Sequence, residues 1–206
     1  MSNTSARRGK KRRKKQYHPL AYLLAFVLII GLLLLLVLAL RSGYNIFVKS
    51  TYELAYYDEV MDACEDFGVE PSLAYAIMRT ESGFDESAHS GADAKGLMQV
   101  TDVTLEWLWL RSDEFDNVTS ENLYDGPTNL RCGIYTLSLL FEQFENEQTV
   151  IAAYNAGIGV VQEWLTDDAY SSDGVTLHTI PFAETEAYVQ RVESAKAIYE
   201  DYYDLG

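Results

Sequence analysis

The chain has 206 residues and a formal net charge of −15, but that charge is divided unequally. Eight Lys/Arg stand between Arg7 and Lys15, no acid occurs before Glu53, and from residue 50 onward six basic residues face all 31 acidic ones. So acidic a body excludes a nucleic-acid surface over most of the chain, and the two ends must meet different surroundings.

Residues 1–19 form a basic tail. Leu20 to Leu40 follows as 21 residues without a charge, rich in Leu, Ile and Val. About 20 such residues span a bilayer core, whereas a cleaved signal peptide has a shorter apolar region and a small-residue cleavage site. Leu38-Ala39-Leu40-Arg41 offers no such site, so residues 20–40 are expected to be an uncleaved single-pass anchor in the lipid bilayer. With the basic cluster before the span, and only Arg41 and Lys49 just after it, the N-terminus is expected in the cytoplasm and the rest outside the cell. Beside a span the cluster reads as a topology signal at an anionic leaflet, not as a nucleic-acid site.

Residues 41–50 read as a short juxtamembrane linker, and residues 51–206 as one domain large enough for its own core. Leu54, Tyr57, Met61 and Cys64 recur at helical steps, which predicts a helix over 51–67 ended by Gly68. A second helix starts at Pro71 and ends near Gly83. Thr101 is placed to cap a third, and Asp125-Gly126-Pro127 to open a fourth with an apolar stripe through Leu130, Ile134, Leu137 and Leu140. Shorter helices are expected over 149–156 and 160–165 around a Gly157-Gly159 break, and a last one over 183–203. No segment alternates as a strand does, so the domain is expected to be all-α or mainly α.

Cys64 and Cys132 read as buried thiols, although an extracellular site would also permit a disulfide. His18, His89 and His178 are scattered and no cysteine pair has ligand spacing, so no metal or other cofactor is expected.

The helix from Pro71 carries the most informative residue. Leu73, Ala76, Ile77 and Thr80 fall on one stripe, and Glu81 continues it. A carboxyl aimed at a core is costly to ionise, and the adjacent helix C-terminus adds partial negative charge. Both raise its pKa toward the range a general acid needs near neutral pH. Arg79, the only nearby cation in sequence, lies on a different helix face.

Ser90 follows Glu81 by nine residues, in a loop with Gly91. Gly96-Leu97-Met98-Gln99 comes next, then Ala152-Ala153-Tyr154-Asn155-Ala156-Gly157, then Glu184-Thr185-Glu186-Ala187-Tyr188-Val189. Four such motifs in this order resemble the catalytic domain of soluble-type lytic transglycosylases, relatives of goose-type lysozyme. The resemblance implies a lysozyme-like helical fold with a long cleft, acting on peptidoglycan glycan strands; the run at residues 20–40 would place it behind a single N-terminal transmembrane helix.

It also implies one catalytic glutamate, at the position of Glu81. That group would protonate the bond between N-acetylmuramic acid and N-acetylglucosamine. It would then take a proton from the muramic C6 hydroxyl, leaving a 1,6-anhydro end. Ser90, Gly96, Met98, Gln99, Tyr154, Asn155, Glu184 and Tyr188 are the matching substrate-side positions. Four of them have a plainer reading: a turn-capping Ser90, a core Met98, a helix-capping Asn155, and a Glu184 that only favours its helix N-terminus. Gly96 would let a sugar approach the backbone, and Gln99 would offer donor and acceptor. The chain departs from the family pattern at Val100-Thr101-Asp102, where Met-Pro is usual, and at Glu186-Ala187, where Arg-Asn is commoner.

Two other readings stand beside this one. The same fold serves goose-type muramidases, which hydrolyse the bond, and a non-catalytic glycan-binding scaffold of a cell-envelope complex would share the anchor. The partners in such a complex are unknown from the sequence.

Overall fold

The structure, a computed structural model, describes residues 19–205. The basic cluster Arg7 to Lys15 lies outside the described residues. The chain divides into two compact units, 1–51 and 52–206.

In the first unit, α1 (Pro19–Thr51) is one continuous helix of 33 residues. The stretch 41–50, expected as a linker, is helical throughout. It contains no proline, and neither Ser42 nor Gly43 alone stops a helix that is already propagating. The apolar run inside it covers roughly 30 Å at the helical rise, close to the thickness of a bilayer core. Its side chains are exposed, and the helix is long and apolar enough to cross a membrane.

The second unit is helical. It contains α2 (Tyr57–Phe67), α3 (Pro71–Glu81), α4 (Asp102–Trp109), α5 (Gly126–Gln143), α6 (Glu147–Ala156), α7 (Ile158–Leu165) and α8 (Ala183–Tyr203). Two short 3₁₀ turns, Asp113–Phe115 and Ser120–Tyr124, lie between α4 and α5. Among the described residues there is no strand, only isolated bridges pairing Lys95 with His89 and Val100.

The expected punctuation appears at most boundaries. Thr101 accepts from the Thr104 amide and Asp125 from the Thr128 amide, so both cap their helices. Gly68 takes φ 67° and closes α2 on the Cys64 carbonyl. The helix expected from residue 51 begins only at Tyr57, because Tyr56 has φ 56° and breaks the run. Its ring packs where a side chain on Gly126 would stand, and its hydroxyl donates to Glu86 at 2.7 Å.

α3 lies at the centre. Every residue from Ser72 to Met78 is buried, so the stripe read from the sequence is one side of a helix covered all round. α3 packs most extensively on α8, α2 packs on α5, and α6 touches both α7 and α8. Tyr75 of α3 stacks on Tyr199 of α8 with ring centroids 5.2 Å apart. Cys64 and Cys132 are free and buried in this core, and burial pushes each thiol up to about 12.

Candidate active site

Glu81 is the last residue of α3. The helix stops there because Gly83 adopts φ 61°, its amide closing on the Arg79 carbonyl at 3.1 Å. Ser82 then turns its hydroxyl to the Leu97 carbonyl at 2.8 Å, which fastens the following loop to the helix end.

Tyr188 of α8, itself buried, donates its hydroxyl to Glu81 Oε1 at 2.6 Å. Desolvation raises the Glu81 carboxyl from its ordinary 4.5 to about 7, outweighing the opposing pull of the Tyr188 hydrogen bond and the Arg191 charge. The upward direction agrees with the sequence reading. Arg191 does not appear in that reading, because it belongs to α8 and only packing brings its charge within reach. It also sits 5.9 Å from the centroid of the Tyr188 ring, one helical turn on. Burial holds the phenols of Tyr188 and Tyr154 well above their usual range, with the Glu81 charge adding to it, so both remain donors.

The Gly96 to Gln99 turn is held from several sides. The buried Asn129 of α5 donates to the Lys95 and Leu123 carbonyls at 2.8 Å each, and accepts from the Met98 amide at 2.8 Å. Tyr154 of α6 donates to the Met98 carbonyl at 2.8 Å. Both backbone groups of Met98 are therefore fixed by side chains from other helices.

These contacts change the expected roles of several residues. Gly96 has φ 72° and is buried, and a Cβ there would strike the Leu123 carbonyl and the Asn129 amide. Its lack of a side chain admits the protein's own groups, where a close sugar was expected. Met98 is fully buried with its side chain against Gly133, so it is core and not an apolar surface for a ligand. Gln99, at φ 51°, uses its side-chain NH₂ on the Gly96 carbonyl at 2.9 Å and the Ala88 carbonyl at 3.2 Å, so both of its donors are spent on the protein's own backbone. Ser90 accepts from the Ala92 and Ala94 amides at 3.2 and 3.1 Å, the plainer of its two readings.

Asn155 is exposed at the end of α6 and accepts from the Thr185 hydroxyl at 2.8 Å, which ties α6 to the first turn of α8. Glu184 is exposed in that first turn. Glu81, Tyr188 and Tyr154 are thus brought together. Ser90, Gly96, Met98 and Gln99 build the neighbouring loop, while Asn155 and Glu184 are exposed where α6 meets the first turn of α8.

Sequence reasoning missed Asn129 and Arg191. Asn129 had a signal, a side-chain amide in the first turn of a helix whose neighbours are apolar. Arg191 had one only in hindsight, three residues past a motif tyrosine. A groove of about 270 Å³, lined by Trp107, Thr136, Leu140, Tyr154 and Ile158 among others, opens beside Tyr154. It offers apolar and aromatic surface along one side of the site.

A helical domain built round one shielded carboxyl, with a phenol on it and an aromatic groove beside it, is a lysozyme-like fold. Residues 60–174 match the model of the transglycosylase SLT domain, and the chain belongs to that family. It is 32% identical to the soluble lytic murein transglycosylase of Salmonella typhimurium, over 75% of this chain and 24% of that one. It is also 32% identical to membrane-bound lytic murein transglycosylase C of Serratia proteamaculans, over 77% of this chain and 53% of that one. The chain therefore spans about a quarter of the soluble relative and about half of the membrane-bound one. Among solved structures it resembles the inactive Glu-to-Gln mutant of lytic transglycosylase Slt from Pseudomonas aeruginosa, with TM-score 0.67 and 33% identity over 77% of this chain and 26% of that one. The complex of the 70-kDa soluble lytic transglycosylase with bulgecin A matches with TM-score 0.65 and 29% identity, over 76% of this chain and 26% of that one.

Proposed function

We propose that this protein is a membrane-anchored lytic transglycosylase that cuts peptidoglycan strands, with Glu81 as its acid and then its base. The observation that carries the reading is the Glu81 carboxyl itself, with a pKa near 7 and a phenol on one oxygen. A group that must give up a proton and then recover one works best when its pKa lies close to the ambient pH.

In the first half of the reaction the protonated Glu81 gives its proton to the oxygen linking N-acetylmuramic acid to N-acetylglucosamine. The C1–O bond breaks and the N-acetylglucosamine side leaves as an alcohol. In the second half, carboxylate Glu81 takes the proton of the muramic C6 hydroxyl, and O6 closes on C1. A 1,6-anhydro end results, no water is consumed, and Glu81 is protonated again. The family of the chain, and relatives named as lytic murein transglycosylases, support this chemistry. So does the inactivity of the Pseudomonas relative that carries glutamine for a glutamate. Hydrolysis with two carboxyl groups would need a second acid near the first. Among the described residues, the side chains acting on the Glu81 proton are Tyr188 and Arg191.

Tyr154, Asn155, Glu184 and the carbonyl of Gln99 serve as substrate contacts in this reading. Ser90, Gly96 and Met98 hold the loop that carries Gln99. Mass analysis of digested peptidoglycan tests the reaction: 1,6-anhydro ends are expected. Reducing muramic ends alone would make the protein a muramidase, and binding without cleavage would make it a scaffold.

For location, we propose that residues 20–40 cross the cell membrane, with residues 1–19 in the cytoplasm and the domain of residues 51–206 outside. The apolar helix α1 and the basic residues before it support this arrangement. Protease added to wall-stripped cells should remove the domain. Its full protection would reverse the topology.

A further inference from the structure

The domain after residue 50 has six basic residues among 31 acids, so a cation without a carboxylate partner is unexpected there. Three of the six are paired: Lys95 with Asp93 and Asp102, Arg131 with Asp66 and Glu114, and Lys196 with Glu70, Glu147 and Glu200. No carboxylate among the described residues stands at ion-pairing distance from Arg79, Arg111 or Arg191. Arg111 is a surface residue set 5.6 Å from the Trp107 ring. The other two line one groove.

That groove, of about 420 Å³, runs between the end of α3 and the middle of α8, and Tyr52, Arg79, Thr80, Gln190, Arg191 and Ser194 line it. Arg79 lies with its guanidinium 4.3 Å from the Tyr52 ring centroid, and its Nε is buried without a hydrogen-bond partner. A buried guanidinium N–H left unpaired is costly, and such groups are normally satisfied by protein, water or ligand. Aromatic stacking holds the fork in place before any ligand arrives, which lowers the entropy lost on binding. Gln190 adds a neutral donor on the α8 side, while the Ser194 hydroxyl donates to the Gln190 carbonyl at 2.6 Å and leaves only lone pairs to the groove.

We propose that this groove is a carboxylate-binding subsite, and that its occupant is the acidic peptide branch of the strand that Glu81 cuts. This rests on the function proposed above. Paired guanidinium groups match the planar, two-oxygen geometry of a carboxylate. The groove also has room for more than a carboxylate alone, which suits a peptide branch. It adjoins the reaction centre through both walls: Thr80 directly precedes Glu81, and the Arg191 charge acts on the Glu81 carboxyl. A strand with its scissile bond at Glu81 would present branches on the neighbouring sugars, within reach of this groove. The domain is acidic overall, so a groove lined by two arginines without ion-pair partners favours an acidic branch there.

The test compares two substrates for the full chain in detergent micelles: glycan strands carrying their peptides, and the same strands stripped by an amidase. A charge-assisted contact contributes enough for about tenfold to a hundredfold in kcat/KM, so the parent should favour intact strands by that factor. Arg191→Gln, at an exposed position, and Arg79→Gln should each reduce the preference, and the double variant should bring it near one. Arg79→Lys keeps charge and stem but loses the fork, so an intermediate preference is expected and guards against misfolding at that site. Retention of the Glu81→Gln protein on the two strand types reads binding without cleavage. If the parent cleaves neither strand, the proposed reaction fails, and retention alone decides the subsite. Equal handling of both strands by the parent, or a preference undiminished in Arg79→Gln and Arg191→Gln alike, overturns the proposal.

Discussion

The hydroxyl of Tyr188 meets Oε1 of Glu81 at 2.6 Å, across 107 residues of chain. The phenol is buried and keeps its proton, so it always donates and never competes for the proton that Glu81 handles. It favours the ionised carboxylate, against the desolvation that favours the acid. Near pH 7 neither form dominates, because these influences oppose one another.

Replacing Tyr188 by phenylalanine removes the donor and leaves the desolvation. The Glu81 pKa should then rise above its present value of about 7. The alkaline limb of the pH–rate profile, where the acid form is lost, should move to higher pH, and the rate near neutrality should fall because the proton is held too tightly. An unmoved alkaline limb would show that Tyr188 only packs.

Glu81→Gln should lower strand cleavage by on the order of 10² to 10⁴, since the amide neither gives nor recovers a proton. The folded state binds the Glu81 proton more tightly than the unfolded chain does, so its stability falls as pH rises from about 4.5 to about 7. A shift of that size corresponds to on the order of 3 kcal/mol lost above neutrality, less whatever residual solvent contact screens. The glutamine variant lacks this loss. Its melting temperature should exceed the parent's at pH 8 and converge with it near pH 4.5. Equal melting at both pH values would mean that the carboxyl is well solvated.

Tyr154→Phe takes the hydroxyl from the Met98 carbonyl. The family resemblance puts Tyr154 on the substrate side, but its hydroxyl contacts the protein's own backbone. We expect a loss of roughly 1 to 2 kcal/mol in denaturant melts, together with reduced cleavage as the Gly96 to Gln99 turn loosens. An unchanged midpoint with lost activity would return the hydroxyl to the substrate.

Asn129→Ala strands the Leu123 carbonyl and the Met98 amide in the interior at once, and takes one of two donors from the Lys95 carbonyl, which keeps the Val100 amide. It should cost about 3 kcal/mol or more, among the largest effects of a single polar side chain here. Asn129→Asp should do little better, because its carboxylate cannot donate to the Lys95 and Leu123 carbonyls. Thermal melting of both variants against the parent checks this.

Much of the molecule was legible in residues close together in the chain. The apolar run at Leu20 to Leu40, the caps at Thr101 and Asp125, the stop at Gly83 and the placing of Glu81 on an apolar face all follow from neighbours within a turn or two. Periodicity and capping are local physics, so local sequence reports them. Tyr56 is the exception that shows the limit, because its left-handed backbone is set where its ring meets Gly126, and no propensity near residue 56 announces it.

The tertiary structure decided which groups touch. Asn129 reaches the Met98 amide across 31 residues, Tyr154 reaches the Met98 carbonyl across 56, and Tyr188 reaches Glu81 across 107. The sequence named Tyr154 and Tyr188 as motif residues but said nothing of whether their hydroxyls faced ligand or backbone. It made Gly96 a place for a sugar, and packing made it a place for Asn129. It left Glu81 with no cation except Arg79, and packing α8 on α3 supplied Arg191. A pattern in one helix records which face is buried, but the identity of what buries it depends on how that helix lies against the others, and that is settled only when the core closes.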